Sequence, residues 1–573
     1  MAVPASAGAQ AQVKNGMIAF SAKRAGDRAL FSRAPDGSQL RVIPTGGRAD
    51  HVTFSPGGRR VAFTKYGPLG AQIWVSYLDG TGLRQLTTGP SDTMPAWSRT
   101  GADVGFARGP AGSRDIYRIR ADGAGLRRLT ASFRNDDSPS WSVREQVAFV
   151  RAGAKDDDVY VIDAAGGAAR RLTASKEDDS APAWSPTGRT LVFSRGKSGR
   201  RDLYVIRGTG GRPRRLTEVP GDESDPTFSP DGTRVVFTHR RGRSQRVYLM
   251  KVKGKAVRLL PSRRNLRVRS ITSARSAARQ PAWQPTGLDP VVAAAGDIAC
   301  DHASPNFNAG VGFPGVCRQK VTSDLLLRTD LAGILIPGDT QYENGKLAAF
   351  LGSFHPTWGR LKPLIRPVPG NHEYGDPGAA GYFDYFNGPG RQSGQAGARG
   401  AGYYSFDVGT WHVIALNSEC EQVGGCAPDS PQVRWLQADL AANPATCTLA
   451  FFHGPRFTSG RYADQSDRVR PFWDALYTAG ADLVLSGHEH FYERFGPQTP
   501  SGVADPARGL RQLTVGMGGK GRHGFITAAP NSEVRDNGTI GVLELALREG
   551  SYDWRLIRAP TGSSADVGRG TCH

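Results

Sequence analysis

An aromatic residue returns at nearly constant spacing through the first half of this 573-residue chain. Phe54, Trp97, Trp141, Trp184 and Phe228 follow at intervals of 43 or 44, and Trp283 comes 55 after the last. A fixed period of this length marks one small unit repeated side by side. Most anchors are followed by Ser, then commonly Pro and Gly, as in Phe54-Ser-Pro-Gly-Gly and Phe228-Ser-Pro-Asp-Gly. A β-branched run follows (Arg60-Val-Ala-Phe-Thr64), then a second (Asp202-Leu-Tyr-Val-Ile206). The repeat ends in Arg-Leu-Thr, as at Arg128-Leu129-Thr130 and Arg171-Leu172-Thr173. Four short strands per repeat make a propeller blade, which cannot bury both of its faces alone. Six anchors predict six blades over residues 17–288. Residues 17–47 hold three strands with no anchor strand ahead of them, and 280–285 form an anchor strand with nothing after it. Pairing the two pieces closes the ring and leaves no open sheet edge.

The repeat resembles the TolB-type, WD40-like β-propeller family over about half the chain. That family implies a partner-binding module rather than a catalyst. Acidic residues ahead of most anchors (Asp50, Asp92, Asp137, Asp179, Asp225) fit the family, and turn or strand capping is the plain account of them. Residues 261–279 lengthen the last interval and carry Arg263, Arg264, Arg267, Arg269, Arg275 and Arg279. Two readings stay open: a solvated loop, or an anchor for an anionic polymer such as a cell-wall phosphate polymer or nucleic acid. No aromatics interleave, so base stacking is not indicated.

Charge and cysteine divide the chain at the same place. Residues 1–290 hold 49 Lys and Arg against 25 Asp and Glu, whereas 291–573 hold 24 against 27. The net charge of +21 therefore belongs to the repeats. All six cysteines (Cys300, Cys317, Cys420, Cys426, Cys447, Cys572) lie in the second half. An even count without a CxxC pair favours disulfides over zinc binding. Of the 15 connectivities open to six cysteines we expect Cys300–Cys317, Cys420–Cys426 and Cys447–Cys572; six buried thiols in a cytosolic enzyme is the alternative. Residues 1–16 read as a disordered or signal-peptide remnant with a small-residue tail. A secreted or extracytoplasmic protein with no membrane-spanning helix is expected.

Residues 289–573 form the expected catalytic domain. Five apolar, strand-like runs each end in a polar cluster: Gly296-Asp297, Gly338-Asp339, Gly370-Asn371-His372-Glu373, Phe452-His453 and Gly487-His488-Glu489-His490. Carboxyl ends of neighbouring strands converge on one crevice in layered α/β proteins. One such residue alone is a turn or cap. Five strand ends delivering Asp, Asp, Asn, His and His point to metal binding. Tyr342 stands three residues after Asp339.

These motifs resemble the calcineurin-like metallophosphoesterases across nearly all of 290–560, which implies a four-layer α/β/β/α sandwich. The superfamily's common first motif is Asp-x-His, but two residues after Asp297 stands Ala299. Tyr342 appears instead, the exchange that distinguishes the purple acid phosphatase branch. By this resemblance Asp297, Asp339, Tyr342 and His490 hold one metal, and Asp339, Asn371, His453 and His488 hold the other. Phenolate is a hard anionic donor suited to Fe(III), and the second set suits divalent Fe, Zn or Mn. The implied reaction is hydrolysis of a phosphate ester by a metal-bound hydroxide. His372 would be catalytic, stabilising charge at the substrate or protonating the leaving oxygen. Arg456 would hold a phosphate oxygen, or be a surface Arg. Glu373 and Glu489 would orient histidines. Two departures stand out. Plant members carry a His where this chain has Tyr462, and His302 is too far beyond its strand to replace the ligand missing at Ala299. The substrate is a phosphate ester, and the basic propeller would bind or target through an anionic polymer or a protein. The alternatives are a phosphodiesterase acting on nucleotides or cell-wall phosphate polymer, and a non-catalytic propeller-based binding protein.

Overall fold

The computed structural model describes residues 14–24, 27–252, 269–270, 272, 277–287 and 289–573. The chain divides into two compact units, Met1–Leu288 with Arg328–Asp330, and Asp289–Leu327 with Leu331–His573.

The first unit is a propeller of six four-stranded sheets. Its first blade contains Lys14–Arg24, Asp27–Arg33 and Arg41–Ile43, and takes its fourth strand, Arg279–Thr286, from the far end of the repeats. Trp283 pairs with Ile18 in that closure. The expected seam is therefore present, with its opening strand starting at Lys14 rather than 17. The rest of the expected N-terminal remnant, 1–13, lies outside the described residues, as do Arg263, Arg264, Arg267 and Arg275. Arg279 is not a loose cation, because it pairs with Asp50 at 2.8 Å.

The repeat signature has a physical basis. The outermost strand of five of the blades is only two residues long (84–85, 127–128, 170–171, 214–215, 269–270). The Thr that follows completes the backbone pairing, since every buried N–H needs an acceptor. The hydroxyls of Thr87, Thr130, Thr173, Thr217 and Thr272 accept the N–H of Ile73, Ile116, Val159, Leu203 and Val247 at 2.9–3.0 Å. The acidic positions are not plain caps. Asp92, Asp136, Asp179 and Asp222 start the inner strands and pair with Arg108, Arg151, Arg195 and Arg240 at 2.6–2.7 Å. In two blades the inward carboxylate is thus Asp136 or Asp222, not Asp137 or Asp225, because cross-strand register selects the residue opposite the Arg.

The second unit layers helices on two sheets. The six-stranded sheet runs Ile365–Val368, Gly333–Pro337, Val291–Ala294, Gly541–Arg548, Ser551–Arg558, Ser564–Thr571. The seven-stranded sheet runs Tyr404–Val408, Trp411–Ala415, Cys447–Phe451, Leu483–Ser486, Arg511–Val515, Tyr492–Phe495, Ser532–Asp536. Strand side chains alternate between faces. Val292, Leu335, Val413, Leu449 and Leu483 meet in the core between the sheets. Ala293 and Ile334 face the helical layer carrying Phe354 and Phe383, while Ile414 and Val484 face Leu436 and Trp473. The result is the α/β/β/α order. Disulfides join Cys300–Cys317, Cys420–Cys426 and Cys447–Cys572, the pairing expected from sequence.

Candidate metal centre

The strands Val291–Ala294, Gly333–Pro337 and Ile365–Val368 are parallel neighbours, as are Cys447–Phe451 and Leu483–Ser486. Their carboxyl ends deliver the polar clusters to one place. Glycine lets the loops approach: a Cβ on Gly370 would stand 2.3 Å from Asp339 Oδ1, and one on Gly338 would stand 2.4 Å from His453 Nδ1. Three residues of the clusters have left-handed backbones, Asp297 at φ 57°, Asp339 at φ 46° and His488 at φ 69°. Such conformations cost ~1–3 kcal/mol each in non-glycine residues and gather at functional sites.

Seven side chains meet in two groups that share Asp339. In the first, Tyr342 Oη lies 2.8 Å from Asp297 Oδ1, 2.8 Å from Asp339 Oδ2 and 3.0 Å from His490 Nε2. In the second, His453 Nε2 lies 3.0 Å from Asn371 Oδ1, 3.1 Å from His488 Nδ1 and 3.3 Å from Asp339 Oδ1. His453 donates Nδ1–H to the Pro337 carbonyl at 3.0 Å, so Nε2 is the nitrogen that faces two oxygen acceptors. His488 turns Nδ1 to the same group, and its buried Nε2 has no partner among the described residues. Acceptors packed against acceptors call for a positive charge between them.

The electrostatics agree. Burial opposes a proton on His453, yet Asp339 pushes the imidazole up to about 10. Burial would raise the Asp339 carboxyl, but the rings of His453, His372 and His488 hold it well below the usual carboxylate range. Burial and the His453 charge lower His488 to about 2, leaving it neutral. Burial, Asp297 and Asp339 raise the Tyr342 phenol well above its ordinary value. Asp339, His453 and His488 can hold an ion together, and the donor set of carboxylates, imidazoles, one amide oxygen and one phenol fits hard and borderline cations.

His372 stands beside the cluster and partly exposed. Its Nδ1–H donates to the Glu343 carbonyl at 2.6 Å, and its Nε2 is 3.9 Å from Asp339 Oδ2. Arg456 is turned to other partners, with Nε donating to the Pro500 carbonyl at 3.2 Å and NH1 3.0 Å from Asp467. Glu373 orients no histidine; it accepts the N–H groups of Gln341 and Gly370 at 3.0 and 2.8 Å and so ties two of the loops together. Burial, with Asp339 adding to it, pushes its carboxyl up to about 8. His302 pairs with Asp301 at 3.2 Å.

Two residues of the surroundings escaped the sequence reading, and both follow the Arg511–Val515 strand, parallel to Leu483–Ser486. The His523 ring stacks on His490, and its Nδ1 accepts the His490 N–H at 3.2 Å and lies 3.3 Å from Glu489 Oε2. Glu489 thus reaches a histidine of the rim rather than one of the cluster. The Lys520 ammonium lies 4.5 Å over the Tyr342 ring and pairs with Glu343. A sixth strand end running into Gly516–Lys520 and His523 was the available signal.

The chain matches the family model for the TolB beta propeller domain over residues 42–179 and 137–287, and that for calcineurin-like phosphoesterase over 320–492. Among curated relatives it is 34% identical to purple acid phosphatase 22 of Arabidopsis thaliana over 149 residues, 24% of this chain and 32% of that protein. It is 32% identical to purple acid phosphatase 18 of the same plant over 213 residues, 35% of this chain and 46% of that protein. The chain thus spans less than half the length of these two relatives. Among solved structures, TolB from Acinetobacter baumannii aligns with a TM-score of 0.39 at 21% identity, covering 47% of this chain and 66% of that one. The chain thus matches a TolB-type propeller in its first part and a calcineurin-like phosphoesterase domain in its second.

Proposed function

We propose that the second unit is a dinuclear, purple acid phosphatase-like phosphoric ester hydrolase, acting beside a propeller that binds or targets. The observation that carries this reading is Tyr342 Oη, set 2.8 Å from the carboxylates of both Asp297 and Asp339. A buried phenol between two carboxylates gains most if its proton leaves to solvent and a highly charged cation takes its place. Asp297, Tyr342 and His490 would hold Fe(III), and Asn371, His453 and His488 a divalent Fe, Zn or Mn, with Asp339 bridging. The pair, when bound, supplies charge stabilisation at phosphorus and a nucleophile at neutral pH.

The remaining work falls to the chain. The Pro337 carbonyl fixes the His453 tautomer, as second partners of metal-binding histidines do. The Glu343 carbonyl fixes His372 in the same way and leaves Nε2 at the open side of the cluster. Arg456 enters this scheme only if it leaves Asp467. Three disulfides support an extracytoplasmic location.

Metal analysis, visible absorption and aryl phosphate hydrolysis of the full chain test the reading. Bound iron, a visible band and its loss in Tyr342→Phe are expected. A colourless, zinc-only active protein would remove the iron assignment and leave the hydrolase. Failure to cleave any aryl phosphate after loading with Fe, Zn or Mn would remove the hydrolase.

A further inference from the structure

The propeller carries a feature that neither the repeat nor the phosphoesterase site uses. Between its fourth blade (136–171) and fifth blade (179–215) lies a cleft of about 1010 Å³. Six arginines line it: Arg144, Arg170, Arg189, Arg207, Arg212 and Arg214. No Asp, Glu or aromatic residue is among the lining residues. Arg144, Arg189, Arg207 and Arg212 are exposed and form no ion pair among the described residues. Arg170 is held in place by the Gly208 carbonyl at 2.7 Å.

The repeat supplies its own control. Arg207 pairs with Thr190 at the end of the third strand of its blade, and Tyr77, Arg120 and Asp163 hold the same register position in the three blades before it. Two residues on, the second and third blades carry Asp79 and Asp122, and the fifth carries Thr209. Five residues on, they carry Gly82 and Gly125, and the fifth carries Arg212. The fourth blade also lacks the turn carboxylate, with Ala165 and Ala168 at these positions, and of these four blades the fifth alone carries a cation, Arg212, at the second of them. The cleft gathers this cation with five other arginines on a concave surface that no carboxylate lines. Cations in a groove attract chains of anionic groups and release their counterions. Without an aromatic platform the groove cannot read bases.

We propose that this cleft binds a linear chain of phosphates, linked as diesters or anhydrides, through its phosphate oxygens. The proposal rests on the reading of the propeller as a binding module and presents the second unit with phosphorylated polymer. It gives that module a ligand class and a place.

Fluorescence anisotropy on the full chain tests it, with labelled inorganic polyphosphate, a polyol-phosphate polymer, an oligothymidylate and heparin as probes. Four engaged arginines predict a log–log salt slope near −3, or roughly a 50-fold loss of affinity between about 50 and 200 mM salt. The combined variant Arg189→Ser, Arg207→Ser, Arg212→Ser is expected to lose about ten-fold or more in affinity and about two units of slope. A control with equal charge loss at exposed sites elsewhere, Arg41→Ser, Arg99→Ser, Lys176→Ser, is expected to lose about two-fold or less. Arg212→Gly, which installs the residue of the second and third blades, should fold as they do and weaken binding alone. Equal losses in the two combined variants would reduce the cleft to diffuse charge and overturn the proposal. Tighter binding of heparin, or of oligothymidylate, than of both phosphate polymers would overturn it too. Polyphosphate against polyol phosphate identifies the linkage. Hydrolysis of a small aryl phosphate is expected to be unchanged in all variants, so loss of the cleft and loss of the hydrolase reading are separate results.

Discussion

The ring of His523 lies flat on that of His490, with centroids 3.8 Å apart and planes 11° apart, although 33 residues separate them. His490 faces Tyr342 with its Nε2, and its backbone N–H is held by His523. In the proposed centre the stack would fix the ring that the first metal position depends on. His523→Ala is expected to weaken ion retention there by about 10–100-fold, the usual effect of removing a ligand's supporting partner. Dialysis against graded free metal, followed by metal counting, measures it. Unchanged retention would make the stack incidental.

Metal removal should also be read in stability. Ions that bind only the folded chain stabilise it by ~4 kcal/mol at a thousand times their dissociation constant. Chelation is therefore expected to lower the melting temperature, and added Fe and Zn to restore it. In Tyr342→Phe the restoration should be smaller, because one donor of the first group is gone. A melting temperature indifferent to chelator would contradict the centre.

In the propeller, Asp179 is fully buried and engages Arg195 through both oxygens, at 2.6 and 2.7 Å. Asp179→Ala leaves the Arg195 charge, itself 12% exposed, without its counter-ion. Breaking a buried pair from one side costs about 3–5 kcal/mol, and the partial exposure of Arg195 places the expected loss at the lower end. Chemical denaturation of the full chain, followed by propeller tryptophan fluorescence, reports it. Asp179→Asn should lose less, since the amide oxygen still accepts one bond.

Glu223 sets a pH dependence. Its carboxyl is buried and accepts the Thr217 hydroxyl, while Oε1 has no partner among the described residues. Burial, reinforced by Asp202, pushes it from 4.5 up to about 8. The folded chain therefore keeps a proton that the unfolded chain releases. Its contribution is most favourable below about pH 4.5 and becomes steadily less so until about pH 8, a change on the order of 4 kcal/mol. Glu223→Gln should flatten that part of the stability–pH curve and exceed the parent in stability above about pH 8. Parallel curves for the two proteins would place the titration elsewhere.

The propeller was legible because its signals are local and repeated. The anchor, the Arg-Leu-Thr ending and the unmatched strands at either end each lie within a few residues. The choice of Asp136 over Asp137 and of Asp222 over Asp225 was not, because it depends on which residue falls opposite an Arg across the ladder. In the second unit each polar cluster follows an apolar strand, so its place at a carboxyl end could be read directly. His523 and Lys520 sit in a glycine-rich loop with no pattern of its own, and only the order of strands in the sheet brings them beside His490 and Tyr342. The partners of Glu373 were misread for a related reason. Its partners are backbone amides at Gln341 and Gly370, which no side-chain motif announces.

The pairing of Lys14–Arg24 with Arg279–Thr286 orders events in time. The opening strand leaves the ribosome first, yet its partner follows only after some 250 further residues, roughly 13–50 s at ordinary elongation rates. Until then the first blade keeps an unpaired edge, and the ring is an arc of stacked blades with two sticky ends. The interval favours a chaperone or a neighbouring nascent chain finding that edge. Stalled translation between the two strands would therefore release not an inactive enzyme but a chain ready to exchange strands with another copy of itself.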